Sequence, residues 1–85
     1  MKNGWITYAS GNKYHYVNDI IHNDNGPAKI GWIGSKYWYK HGKLHREDGP
    51  AIEWYGSTYW YYEGKKIKCS SNEEFLQLII YKAFW

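Results

Sequence analysis

Large aromatic residues alternate with polar or small ones along most of this chain, and the alternation restarts at a fixed interval. Trp5-Ile6-Thr7-Tyr8-Ala9 reads as a strand, and Lys13-Tyr14-His15-Tyr16-Val17 as a second one after the turn Ser10-Gly11-Asn12. The pair Asn18-Asp19 separates that strand from a short third, Ile20-Ile21-His22. The later pairs His41-Gly42 and Glu63-Gly64 stand at equivalent places. A two-residue hairpin of type I′ needs positive φ at both central residues, and Asn-Asp or X-Gly supply it most easily. Helix competes poorly over this span: β-branched and aromatic residues dominate, and no 3.6-residue pattern survives.

Each unit reads as strand, Gly-Ser turn, strand, X-Gly turn, short strand and connector. The connector is clearest at His45-Arg46-Glu47-Asp48-Gly49-Pro50-Ala51, which matches His22-Asn23-Asp24-Asn25-Gly26-Pro27-Ala28. Beyond it Gly34-Ser35 matches Gly56-Ser57, Tyr37-Trp38-Tyr39 matches Tyr59-Trp60-Tyr61, and Gly42-Lys43 matches Gly64-Lys65. The offset changes by one, which places an extra residue between Ala28 and Trp32, a candidate bulge that would re-aim the Trp32 ring. A worn copy comes first, with Gly11-Asn12-Lys13-Tyr14-His15-Tyr16 in place of Gly34-Ser35-Lys36-Tyr37-Trp38-Tyr39. Repeats of this length stack as supersecondary units, each too small to bury its own apolar face. Pro27 and Pro50 lack an N–H and belong at strand starts or edges.

The pattern changes at Cys69. Ser70 and Ser71, followed by Glu73 and Glu74, form two overlapping capping boxes. Phe75, Leu76, Leu78, Ile79, Ile80, Ala83 and Phe84 then give an apolar stripe with helical spacing, Lys82 standing near its end. The expected architecture is a mainly β fold: an antiparallel meander of about seven to nine short strands, built of 22–23-residue hairpin repeats and capped by one C-terminal helix. The units fall at 1–21 (degenerate), 22–44 and 45–67, with the helix at 70–85, all in one domain. The helix is expected to cover the last exposed edge or face of the repeat sheet.

Composition sharpens this. Eighty-five residues approach the lower limit for a self-sufficient core, and six Trp and ten Tyr compensate with large rings that keep a polar atom at the rim. The single cysteine, Cys69, rules out an internal disulfide and suits a reducing compartment, with a semi-buried place beside the helix start. No apolar run approaches the roughly 20 residues of a membrane span, and no signal-peptide core follows Met1, so a cytoplasmic location is expected. The net charge of +3 is too mild for a dedicated duplex binder.

The 22–23-residue unit with its Gly and aromatic positions resembles a MORN-type repeat. More narrowly, HREDGPA followed by W-x-G-S-x-x-W-Y-x-x-G-K is similar to the variant repeats of many short phage and bacterial proteins, and the close CSSNEEF…KAFW looks like the ending of such phage proteins. The resemblance spans residues 11–85. It implies a short phage-encoded protein, acting as an inhibitor or modulator of a host protein or defence component in the host cytoplasm. The earlier copy keeps His22 but has Asn23 for Arg and Asn25 for Asp, which favours a structural role for the motif residues His22, Gly26, Pro27, His45, Asp48, Gly49 and Pro50.

Candidate chemistry is sparse. His22 and His45 sit one repeat apart, roughly 10–15 Å if two or three strands intervene, too far to share a zinc ion. No phosphate loop, nucleophile elbow or Cys/His signature is present, so no catalytic residue, metal or cofactor is expected. Aromatic rows remain. Tyr37 and Tyr39 share a face with Tyr59 and Tyr61, while Trp38 and Trp60 point to the other side and are assigned to the core with Phe75 and Ile79. The expected contact set is Tyr37, Tyr39, Tyr59, Tyr61, Arg46 and Lys36, with Lys40 and Lys65 also bordering the tyrosines. A host protein is the leading partner; a nucleotide signal or single-stranded nucleic acid is the alternative, since Lys-rimmed aromatics also suit bases and phosphates. A third reading is an assembly protein, with the edge Trp5–Ala9 pairing with a second copy as a homodimer.

Overall fold

A computed structural model describes residues 1–81. The fold is mainly β, an antiparallel sheet followed by one helix. The strands are β1 (Gly4–Thr7), β2 (Lys13–Val17), β3 (Ile20–Ile21), β4 (Lys29–Ile30), β5 (Lys36–Tyr37), β6 (Tyr39–Lys40), β7 (Lys43–Leu44), β8 (Ile52–Trp54), β9 (Ser57–Tyr62) and β10 (Lys65–Ile67), with α1 at Asn72–Tyr81. The described strands number ten, one more than the range expected, because the long strand of the middle unit breaks at Trp38 into β5 and β6. The main sheet runs β1-β2-β4-β5-β8-β9-β10, with β3 beside β2, while β6 and β7 form their own ladder. The expected helix end at 82–85, including Lys82, Ala83 and Phe84, lies outside the described residues.

The X-Gly hairpins form as the residue pairs require. Asn18 and Asp19, His41 and Gly42, and Glu63 and Gly64 all have positive φ. The other turns correct the sequence alignment. In the third unit Trp54 pairs with Ser57 across the two-residue loop Tyr55-Gly56. In the second, Gly31 N–H donates to the Ser35 carbonyl and Gly34 N–H to that of Gly31, which closes a three-residue loop over Trp32-Ile33-Gly34. Tyr8 and Asn12 close the same loop in the first unit. The extra residue therefore lies inside the turn, after Gly31, and not before Trp32. Gly31 is the structural counterpart of Trp54, and Trp32 is displaced onto the loop, where it is 71% exposed.

The repeat is also a repeat of bonds, some within a unit and some between neighbouring units. Tyr39 and Tyr61 carbonyls accept from Asn23 and Arg46 N–H; Ile21 and Leu44 carbonyls accept from Gly42 and Gly64 N–H. His22 Nδ1 accepts from His41 N–H at 2.8 Å, and His45 Nδ1 accepts from Glu63 N–H at 2.8 Å. Each connector histidine thus holds the X-Gly turn that follows it in its own unit. At the front of the stack Asn3 Oδ1 accepts from Asn18 N–H in the same way, and the Lys2 carbonyl from Asp19 N–H. At the far end Ile67 occupies the place of the next histidine and is buried. An isoleucine offers no acceptor, so the series stops there and the helix takes over.

The helix begins on one of the two capping boxes: Ser71 Oγ accepts from Glu74 N–H, and Glu74 Oε1 accepts from Ser70 N–H. Phe75, Leu78 and Ile79 pack on Trp60 and Ile67, with Tyr62 and Cys69 at the margin. Trp60 Nε1 donates to Asn72 Oδ1, which satisfies the indole as it is buried. Burial, with the charge of Glu74, raises the Cys69 thiol above its ordinary value, which keeps it a protonated packing residue. No described helix is long and apolar enough to cross a membrane.

Candidate functional site

The connector consumes its own polar groups. Arg46 lies 3.9 Å from the centroid of the Trp38 ring, and its Nε donates to Asp48 at 2.8 Å. Its Nη1 donates to the Pro50 carbonyl and to Glu53, each at 3.1 Å. A Cβ on Gly49 would come within 2.9 Å of the guanidinium carbon, so this glycine makes room for the arginine. In the earlier copy Asn23 Nδ2 donates to the Pro27 carbonyl, the same bond made by a shorter side chain. Arg46 holds the Asp48 carboxyl below the usual carboxylate range through their hydrogen bond. His22 Nε2 faces Asp24 at 2.9 Å; because Nδ1 already accepts from the backbone, Nε2 carries the proton. Among the described residues no group of three His, Cys, Asp or Glu is placed to hold a metal ion.

Register assigns the faces. Residues directly opposed on neighbouring strands share a face, and one such row runs Ile6–Tyr14–Lys29–Tyr37–Ile52–Tyr59 across six strands. Gly4–Tyr16–Ile21, Tyr39–Leu44 and Tyr61–Lys66 run beside it. Six tyrosines at repeat-equivalent positions, Tyr14, Tyr16, Tyr37, Tyr39, Tyr59 and Tyr61, therefore line one face, all half-buried. The helix packs on the other face, through Trp60 and Ile67. The side chains over the tyrosine rings are mostly other tyrosines and lysines. Lys29 Nζ lies 5.3 Å from the Tyr14 centroid and 4.6 Å from that of Tyr37; Lys66 Nζ lies 4.8 Å from Tyr59 and Lys2 Nζ 5.0 Å from Tyr16.

The structure thus brings Tyr37, Tyr39, Tyr59 and Tyr61 together and separates them from the cations expected to border them. Lys36, Lys40 and Lys65 alternate with the tyrosines or pair with their neighbours, so they fall on the tryptophan face, and Arg46 is stacked there on Trp38. The lysines actually on the tyrosine face are Lys29 and Lys66. Sequence reasoning missed them, although each stands directly opposite a tyrosine across a hairpin, Lys29 opposite Tyr37 and Lys66 opposite Tyr61. It also missed Trp54, which shares the face through Ile52 and is 45% exposed. Trp54, Trp32, Ile33, Tyr37, Lys29 and Asn12 border a shallow cavity of about 210 Å³ at the turn end of the face.

Compared with known proteins, the chain matches no family model, no curated protein and no solved structure.

Burial raises the Tyr39 hydroxyl above its ordinary value against the opposing pull of Lys29. The hydrogen bond with Tyr8, at 2.8 Å, and burial push Tyr16 up to about 12. Both phenols stay protonated throughout the neutral range.

Proposed function

We propose that this protein is a non-catalytic binding module that docks a partner protein on its tyrosine face. The observation that carries the reading is the division of labour between the faces. The motif's Arg, Asp and His side chains are spent on internal bonds, and the helix takes up Trp60, while the tyrosine row is topped mostly by lysines and neighbouring rings. Tyrosine offers large contact area at low entropy cost, with a hydroxyl for specificity. A row of rings across the sheet face, with exposed Trp54 and only a shallow cavity at one end, suits a protein–protein contact better than an enclosed small-molecule site. The similarity of the repeats to those of short phage proteins makes a host protein the partner class, and inhibition of that host protein the effect.

Photo-crosslinking tests this. A photoreactive phenylalanine placed at Trp54 should capture one protein of defined mass from the protein's own host, while the same probe at Thr58, on the opposite face, should not. Native mass spectrometry of the gently purified complex should show the same partner mass. Capture from Thr58 and not from Trp54, or a small-molecule adduct that denaturation releases, would sink the reading.

A further inference from the structure

The strand residues of the tyrosine face carry charge of one sign; beside Lys2, outside the strands, the Asp19 carboxylate accepts from the Lys2 backbone N–H. Glu53 is the only carboxylate in any described strand, and register puts it opposite Lys36 on the tryptophan face, where Arg46 engages it. The tyrosine face has Lys29 and Lys66 within its cross-strand rows, and Lys2 reaches over Tyr16. Among the described residues none of these three lysines forms an ion pair. Each ammonium is held over one or two phenol rings, which fixes its position while leaving donors directed away from the ring. Charges fixed on an apolar platform attract an anion more strongly than the same charges on mobile side chains in water.

We infer that the docked partner presents an acidic, carboxylate-rich segment, which pairs with Lys29, Lys66 and Lys2 while the phenols donate to its remaining oxygens. This rests on the reading of the tyrosine face as a protein-docking surface. A nucleic acid would use the face differently. Base stacking needs open ring faces, and the ammonium groups already occupy those of Tyr14, Tyr37 and Tyr59. Stacking a base there displaces the lysine and forfeits its cation–π contact, about 0.5–1 kcal/mol at an exposed site. A carboxylate binds the outer side of the same ammonium and leaves that contact intact. Rings also alternate with Ile6 and Ile52 along the row, which suits aliphatic side chains between acidic ones.

Fluorescence anisotropy with three labelled probes tests the inference: a short peptide alternating Glu and Ala, a matched Lys–Ala peptide, and an oligothymidylate of equal length. The Glu peptide should bind best, and Lys29→Ala with Lys66→Ala should weaken it about tenfold or more. Lys13→Ala with Lys36→Ala removes the same charge from the opposite face and should change binding less than about twofold. Lys29→Arg with Lys66→Arg should retain it, which separates lost charge from lost folding. Equal losses in both alanine pairs, or no preference among the peptides, would overturn the acidic partner, and tighter binding of the oligothymidylate would replace it with nucleic acid. If the Glu peptide fails while the Trp54 crosslink to a protein persists, only this inference falls; if both fail, the docking reading falls too.

Discussion

The connector histidines hold the turns through Nδ1. His45 Nδ1 accepts from Glu63 N–H, and Asn3 performs the same bond for the first unit with an amide oxygen. His45→Ala should therefore cost about 0.5–1.5 kcal/mol, the net worth of one hydrogen bond to an exposed N–H, whereas His45→Asn should recover much of it; urea unfolding compares the two. Gly49 and Arg46 are coupled in a different way. Gly49→Ala drives a Cβ into the guanidinium, so it should destabilise the parent protein but add little in an Arg46→Ala background, a non-additivity that a double-mutant cycle reads directly. Asp48 sets an acid limit. Its folded-state carboxyl titrates below the ordinary value because of Arg46, so its contribution is present above about pH 4 and is lost as the pH falls through the folded value. Asp48→Asn should accordingly lower stability slightly across the neutral range and match the parent protein at low pH, which flattens the profile at the acid end. Since the carboxylate is 85% exposed, the effect is small.

The elements differ in how far they could be read from the sequence. Asn18-Asp19, His41-Gly42 and Glu63-Gly64 were legible as turns because few residue pairs accept positive φ at both centres. The cap at Ser71 and Glu74 was legible because orphan N–H groups need oxygens at a fixed spacing. The turn at Trp32 was not, since matching one tryptophan to another hid a loop one residue longer, and only hydrogen bonds locate the insertion. The cations were misplaced for a related reason: Lys36 adjoins Tyr37 in sequence, and in a strand adjacency means opposite faces. The strongest elemental dependence falls on the helix. Phe75 is fully buried against Trp60 and Ile67, so Phe75→Ala should cost about 3–5 kcal/mol and shift the tryptophan emission. Ser71→Ala should cost about 1 kcal/mol through the lost cap.

At the scale of the whole molecule, burial is unevenly shared. The cluster of large buried side chains lies at the C-terminal end, while the first unit keeps Trp5, Val17 and Ile20 exposed. Stability in a stacked repeat is a sum of unit and neighbour terms, so native-state hydrogen exchange should be slowest in β9 and β10 and fastest in β1. Equal protection at both ends would contradict this.

The hand-off from one connector histidine to the following turn has a further consequence. Its acceptor and donor recur unchanged at each junction, so the chain follows a grammar whose sentence length is free. One more copy of residues 23–45, inserted after His45, would find the same socket on one side and offer the same plug on the other. The tyrosine face would lengthen by one pair of phenols, and neither terminus would need to be redesigned.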